Sequence, residues 1–312
     1  MSFFLFLFFF LWSRFPDGNE ISMTNQRTLI FVGAHPDDES FGHGGTLAKY
    51  AAAGVKVVYA CGTRGEAGSA DPEHLHGYAS LGDVRWAELA CAAEALGLAD
   101  VIHLGYRDSG MTGSPDNQHP EALAAAPLED VTARVVKVLR DLQPQVAITF
   151  DPIGGYRHPD HIAIHNATLR AFHAAGDSQQ FPGCGPAPAD GGPQKLYYAV
   201  FPRRYLKLIV KVLPLFGRDP RRFGRNRDID VVSLAEVDFP IHARIDIRGQ
   251  AARLKAAASA CHKSQLASGP PSRGWMGLLA KAFGQQEVFM RAYPPVSDGH
   301  RYERDLFEGV MK

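Results

Sequence analysis

The chain has 312 residues, of which 46% are hydrophobic and 21% charged, with 33 Lys+Arg against 33 Asp+Glu. This is globular composition, which excludes a disordered tail, a collagen-like fibre and a coiled coil. With a formal net charge of zero, no whole-molecule field draws the protein to nucleic acid, so no nucleic-acid partner is expected and ligands are sought at local patches.

The first feature along the chain is an apolar run, Phe3–Trp12, without a basic region before it or a small-residue cleavage site after it. It is shorter than the roughly 20 residues a membrane crossing needs. Residues 1–22 are therefore read as a doubtful leader with translation starting at Met23, and a weak membrane anchor is the competing reading. From Thr28 the pattern alternates. Thr28–Ala34 is a continuous apolar run, the mark of a strand buried on both faces. The spacing then predicts a helix over Gly44–Ala53, a strand over Val55–Cys61, a helix over Asp83–Leu96 and a strand over Val101–Leu104. A helix over Glu129–Leu142 and a strand over Val146–Phe150 follow. This alternation predicts an α/β fold, a Rossmann-like three-layer domain with a mainly parallel sheet spanning residues 23–182. The Pro/Gly-rich stretch Gly183–Gln194 opens a smaller C-terminal α/β region, residues 183–312, expected to pack on the same domain, with a helix over Gly249–His262 and a last strand over Glu287–Tyr293.

Within that region Arg203–Arg227 holds nine cations against one acid, Asp219. It reads either as a solvated basic helix or as an amphipathic helix lying on an anionic surface or capping a pocket for an anionic substrate. Four cysteines, Cys61, Cys91, Cys184 and Cys261, lie far apart without a CxxC. They indicate neither a disulfide framework nor a thiolate zinc site, and a cytoplasmic, reducing setting is expected.

Thirteen histidines raise the question of where they cluster. His35-Pro36-Asp37-Asp38-Glu39 follows the first strand, and His158-Pro159-Asp160-His161 follows the fourth, with Asp151 and Tyr156 upstream. In an α/β sheet both positions fall at the carboxyl ends of strands, where ligands bind. Adjacent carboxylates raise each other's pKa unless a cation neutralises them, and a divalent metal held by His and Asp does so. Each cluster alone is more often a turn; the two together at one sheet edge point to a metal site. A dehydrogenase is excluded because His35-Pro36-Asp37 stands where a G-x-G-x-x-G would be needed.

AHPDDE after the first strand, TRGEAG (Thr63–Gly68), YRDSGM (Tyr106–Met111), DPIGGYRHPDH (Asp151–His161) and HKSQ (His262–Gln265) together resemble the PIG-L/LmbE-type zinc-dependent N-acetylglucosamine deacetylases. The resemblance spans Thr28 to Gln265 and is strongest to the branch that serves mycothiol and bacillithiol biosynthesis. It implies a hydrolase acting on the N-acetyl amide of an N-acetylglucosaminyl small-molecule conjugate. His35, Asp38 and His161 are implied as ligands to zinc, a set that also accepts iron(II). Asp37 is implied as general base, His158 as the group stabilising the tetrahedral intermediate and protonating the amine, Asp160 as its orienting partner, and Tyr156 as a hydroxyl donor to the carbonyl.

For sugar binding the resemblance points to Arg85, Asp108 and Glu66. The bland readings are an exposed Arg85–Glu88 helix pair and a turn-forming Asp108. Glu39 reads as a helix cap or a brace for His35, and His262 as either a helix-end contact or a site residue. His43, His103, His119, His165 and His300 are expected to be structural or on the surface. Two departures stand out: Arg157 replaces an expected glycine, and Arg203–Arg227 is unusually cationic, both of which favour an anionic aglycone. Two other functions compete. One is the same chemistry on a membrane glycolipid, which is not favoured. The other is a silent carbohydrate-binding protein, disfavoured because Asp37 is present.

Overall fold

A computed structural model describes residues 26–224, 227–266, 285–297, 299 and 301–311. The apolar leader, Met23 and His300 lie outside the described residues. The strands are β1 (Thr28–Gly33), β2 (Lys56–Cys61), β3 (Asp100–His103), β4 (Val146–Phe150), β5 (Lys195–Ala199), β6 (Ala243–Asp246) and β7 (Gln286–Tyr293). The helices are α1 (Asp38–Phe41), α2 (Gly44–Ala52), α3 (Leu81–Leu96), α4 (Leu128–Leu142), α5 (Gly154–Arg157), α6 (Pro159–Ala174), α7 (Arg203–Val212), α8 (Val231–Leu234) and α9 (Gln250–Cys261).

All seven strands form one sheet in the order β3-β2-β1-β4-β5-β7-β6. β1 pairs in parallel with both β2 and β4, and β4 in parallel with β5. β7 pairs antiparallel with β5 and β6, so the mainly parallel sheet expected from the alternation continues through strands of the C-terminal region. Every residue of β1 and of β4 is buried, as their unbroken apolar sequences require. Leu29, Ile30, Val146, Ile148, Leu139, Leu196 and Phe289 lie in a single core cluster.

The chain runs from β1 outward to β3 and then returns to β4 on the other side of β1. Such a reversal opens a crevice beyond the strand ends, and the His35 and His158 clusters leave β1 and β4 into it. Helix ends follow their local chemistry. Ser80 caps α3 by accepting from the Asp83 N–H, and Gly97 ends it at φ 73°. β1 ends at Gly33, where a Cβ would come within 2.5 Å of the Tyr59 hydroxyl. That hydroxyl donates to the His35 carbonyl oxygen at 2.6 Å and so fixes the exit from β1.

The cysteine reading needs correction. Cys91 on α3 and Cys261 at the end of α9 form a disulfide, with Cα atoms 5.8 Å apart across 170 residues of sequence. A pair so separated leaves no spacing motif; only the packing of α3 on α9 brings the thiols together. β5 and β6 are strands that the sequence pattern did not single out.

His43 and His165 are buried, as structural residues. Burial lowers the His43 pKa from 6.5 to about 4, with its Nε2 only 3.2 Å from the Val288 carbonyl oxygen. Because the unfolded imidazole binds a proton that the native one refuses, stability falls as pH drops from about 6.5 towards about 4. Urea unfolding of wild type near pH 7 and near pH 5 is expected to show a loss larger by about 2 kcal/mol than in His43→Phe. Equal losses in the two proteins would refute this contribution.

Candidate active site

The site is assembled from two chain segments that the sheet places side by side. After β1, Pro36 holds the chain in a turn, and Asp37 adopts φ 128°, a backbone region that costs a non-glycine residue about 1–3 kcal/mol. Asp38 then opens α1, so it belongs to a short helix rather than to an open strand end. Its Oδ2 accepts from the backbone N–H groups of Ala34 (3.0 Å) and His35 (2.8 Å), which turns Oδ1 towards His161. After β4, His158 is the N-cap of α6, Pro159 follows at the first helical position, and Asp160 and His161 lie in the first turn.

Three donors converge. His35 Nδ1 is 3.2 Å from His161 Nε2, His161 Nε2 is 3.4 Å from Asp38 Oδ1, and His35 Nδ1 is 3.9 Å from Asp38 Oδ2. A tetrahedral zinc ion with bonds of 2.0–2.2 Å separates its ligand atoms by about 3.3–3.6 Å; the two contacts of His161 are close to that spacing, and one donor atom from each of His35, Asp38 and His161 lies within 4.8 Å of the others, so these residues suit such an ion. The His161 ring is held by stacking on Phe150, with centroids 3.8 Å apart and planes at 11°.

The far side of His35 is also built for a ligand. His35 Nε2 is 3.0 Å from Asp160 Oδ2 and 3.4 Å from Asp108 Oδ1, an arrangement that leaves Nδ1 as the lone-pair nitrogen. Burial opposes charge on His35, yet Asp108, Asp160 and Asp38 outweigh it and raise the imidazole well above its ordinary pKa. The pocket is therefore shaped around positive charge at this point. His35, Asp108, His158 and Asp160 also cluster. There, however, Asp160 is already taken up by His35, by the Ser109 N–H at 3.0 Å and by a short bond from the Ser109 hydroxyl.

Those contacts correct the expected role of Asp160. Its carboxylate faces His35 and Ser109, and its backbone N–H donates to His158 Nδ1 at 3.2 Å. His158 is thus set by its place as a helix cap, which puts its proton on Nε2. Burial and the neighbouring His35 and His161 lower its pKa, so the neutral ring is favoured rather than the expected imidazolium. Ser109 escaped sequence reasoning, because nothing in the YRDSGM segment signals a partner 51 residues away.

A cavity of about 380 Å³ opens onto this cluster, lined among others by His35, Asp37, Arg85, Asp108, Tyr156 and His158. Arg85 is buried and is no exposed helix pair. Its Nη2 donates to Asp37 Oδ2 (3.0 Å) and to the Pro36 carbonyl oxygen (2.8 Å), and its Nη1 to the Gly65 carbonyl oxygen (2.9 Å). Glu88, its supposed partner, instead accepts from the N–H and hydroxyl of Ser264, both at 2.7 Å. Burial lifts the Asp37 carboxyl to about 6, even though Arg85 draws it down. Burial and the Asp38 and Asp37 carboxylates keep the Tyr156 hydroxyl protonated.

Burial would raise Asp108, but His35 and the Gly110 N–H outweigh it and hold the carboxyl well below its ordinary value. Glu66 is absent from the described cavity wall and accepts from the Asp108 N–H at 3.0 Å, bracing the loop. Glu39 braces the start of α1, as the helix-cap reading expects, by accepting from the N–H of its N-cap residue Asp37, and its other oxygen lies beside His262.

Residues 30–172 match the family PIG-L, GlcNAc-PI de-N-acetylase. The chain is 37% identical over 302 residues to a 1D-myo-inositol 2-acetamido-2-deoxy-alpha-D-glucopyranoside deacetylase of Geodermatophilus obscurus, covering 92% of this chain and 99% of the relative. The chain belongs to the PIG-L family. A second relative of the same name, from Acidothermus cellulolyticus, is 39% identical and covers 91% of this chain and 95% of its own length. Among solved structures, N,N'-diacetylchitobiose deacetylase from Pyrococcus horikoshii shares the fold, with TM-score 0.57 and 19% identity over 87% of this chain and 88% of that one.

The PIG-L match takes in His35 through His161, and the C-terminal contributions to the site lie beyond it. Gly224, Asp228, Ile229 and Gln265 line the cavity, whereas the cations of Arg203–Arg227 are absent from its described wall. Arg203 bonds the Ala235 carbonyl oxygen, and Arg221 pairs with Asp230. Arg157 adopts φ 68°, the left-handed backbone that a glycine takes freely. It lines a second cavity of about 390 Å³, and Thr112 is common to the walls of both.

The Ser109 contact yields a prediction about this PIG-L site. Ser109→Ala removes the hydroxyl that holds Asp160 against His35, so zinc affinity in a chelator competition is expected to fall about 10–100-fold. Unchanged affinity would show that the hydroxyl does not orient the ligand.

Proposed function

We propose that the protein is a zinc-dependent deacetylase that hydrolyses the N-acetyl amide of an N-acetylglucosaminyl conjugate to acetate and a free amine. The observation that carries this reading is Asp37. Its carboxylate faces the cavity beside His35, Asp38 and His161, with Oδ2 held by Arg85 and with no hydrogen bond to Oδ1 from the described residues. His35, Asp38 and His161 hold the zinc, and iron(II) suits the same donors. A bound ion of this kind supplies Lewis acidity, polarising water and the amide carbonyl.

The chain's own residues do the rest. Asp37 Oδ1 takes a proton from water as the water oxygen attacks the carbonyl carbon. Arg85 keeps the carboxylate aimed and ionised. His158, with its proton on Nε2, and the protonated Tyr156 hydroxyl donate hydrogen bonds to the carbonyl oxygen as negative charge gathers there. When the C–N bond breaks, the amine leaves with the proton that the Asp37 carboxyl took from water, because the neutral His158 ring has no proton to give up. Asp108 and Arg85 remain the candidates for hydroxyl contacts with the sugar.

The names of the relatives support an inositol glucosaminide as substrate. For the aglycone, Arg157 and Asn166 supply polar groups to the second cavity, against an apolar wall of Ala126, Leu128 and Val131. An aglycone carrying hydroxyls or an anionic group fits it, and Arg157 in place of glycine favours the anionic form.

The test is acetate release from a panel of N-acetylglucosaminides, with zinc content measured in parallel. Asp37→Asn is expected to keep the metal and lose about 10²–10⁴ in kcat, whereas His161→Ala loses both. Normal turnover by Asp37→Asn would overturn the general-base assignment. Arg157→Gly is expected to reduce the preference for anionic over neutral aglycones. An unchanged ratio would remove Arg157 from the specificity account.

A further inference from the structure

The groups that hold Asp37 do not all come from the motif that contains it. The Asp37 N–H donates to Glu39 Oε2 at 2.9 Å, and Glu39 Oε1 lies 2.7 Å from His262 Nε2. The Glu39 and His262 side chains are both fully buried, at 0% exposure. A buried carboxylate without donors is costly, so His262 and the Ser40 hydroxyl, at 2.5 Å, fix the plane of Glu39. Glu39 in turn fixes the N–H of a residue whose backbone, at φ 128°, would relax if released.

His262 is itself secured on both sides. Cys261 before it is bonded to Cys91 of α3, and Ser264 after it donates twice to Glu88 of α3. The same helix carries Arg85, which holds the Asp37 carboxylate. Backbone and side chain of Asp37 are thus gripped by two groups whose relative placement α3 sets. Cys91 is exposed, so a reductant in solution reaches the bond.

We infer that His262 is a positioning residue for Asp37, acting through Glu39, and that the Cys91–Cys261 disulfide holds His262 in place, making turnover depend on that bond being closed. The inference rests on the deacetylase reading above. A dithiol opens the bond by supplying two electrons and two protons; two cysteine thiols form and the reductant leaves as its own disulfide.

Kinetics are measured on the zinc-loaded wild type, His262→Gln, Asp37→Asn and the double variant, with zinc content and thermal unfolding alongside. His262→Gln is expected to lower kcat about 10–100-fold at unchanged KM and zinc content. It should add nothing in the Asp37→Asn background, because both changes act through one carboxylate. An equal fold-loss in both backgrounds, a loss of zinc, or an unchanged kcat each overturns the positioning role. If Asp37→Asn itself turns over normally, the fault lies with the base assignment instead.

The disulfide is tested without substitution, which also serves if His262→Gln does not fold. Wild type is treated with a trialkylphosphine, and opening of the bond is verified by thiol alkylation. The expected result is a fall in kcat matching that of His262→Gln and restored on reoxidation, whereas Cys91→Ser/Cys261→Ser, which lacks the bond, starts at the lowered kcat and does not respond to the phosphine. Full activity with the bond verified open overturns the latch.

Discussion

Two buried aspartates, Asp108 and Asp160, and the partly buried Asp38 converge on one imidazole, and the site is organised around neutralising them. Carboxylates withdrawn from water cannot stay ionised side by side without a cation or several donors. Backbone N–H groups hold Asp38 and Asp108, Ser109 holds Asp160, and His35 touches all three. Arg85 meets the remaining carboxylate, Asp37, from α3, and His262 meets Glu39 from the end of α9. A divalent metal held by His35, Asp38 and His161 would complete the same balance, and the sheet brings these groups together at the reversal between β1 and β4.

Much of this was legible in the sequence because it is local. Thr28–Ala34 and Val146–Phe150 are apolar without a break, and such runs have few structures open to them. His35–Glu39 and His158–His161 each fall just past a strand, so their convergence needed only the rule that parallel strand ends share an edge. What stayed hidden depends on contacts far apart in sequence. Glu39 and His262 are 223 residues apart, and Cys91 and Cys261 are 170. The family resemblance pairs Asp160 with His158, whereas its place in the first turn of α6 sets its side chain against His35 and Ser109.

Arg157 and the basic segment show how charge in a sequence misleads about place. Nine cations between Arg203 and Arg227 suggested an anionic ligand, yet the structure sets that segment at the cavity through Gly224, and then through Asp228 and Ile229 just beyond it. Arg157, in a left-handed turn, lies on the wall of the second cavity, whereas none of the described cations of the run lines either cavity. Density of charge along the chain and field at a site are separate quantities, linked only by the fold.

His158 begins a helix with the nitrogen that accepts the Asp160 N–H. That nitrogen cannot take up a proton without breaking the cap, so the ring exchanges protons through one face only. The helix start therefore makes His158 a fixed hydrogen-bond donor rather than a store of exchangeable protons: its one N–H stays on Nε2 for as long as the cap is intact.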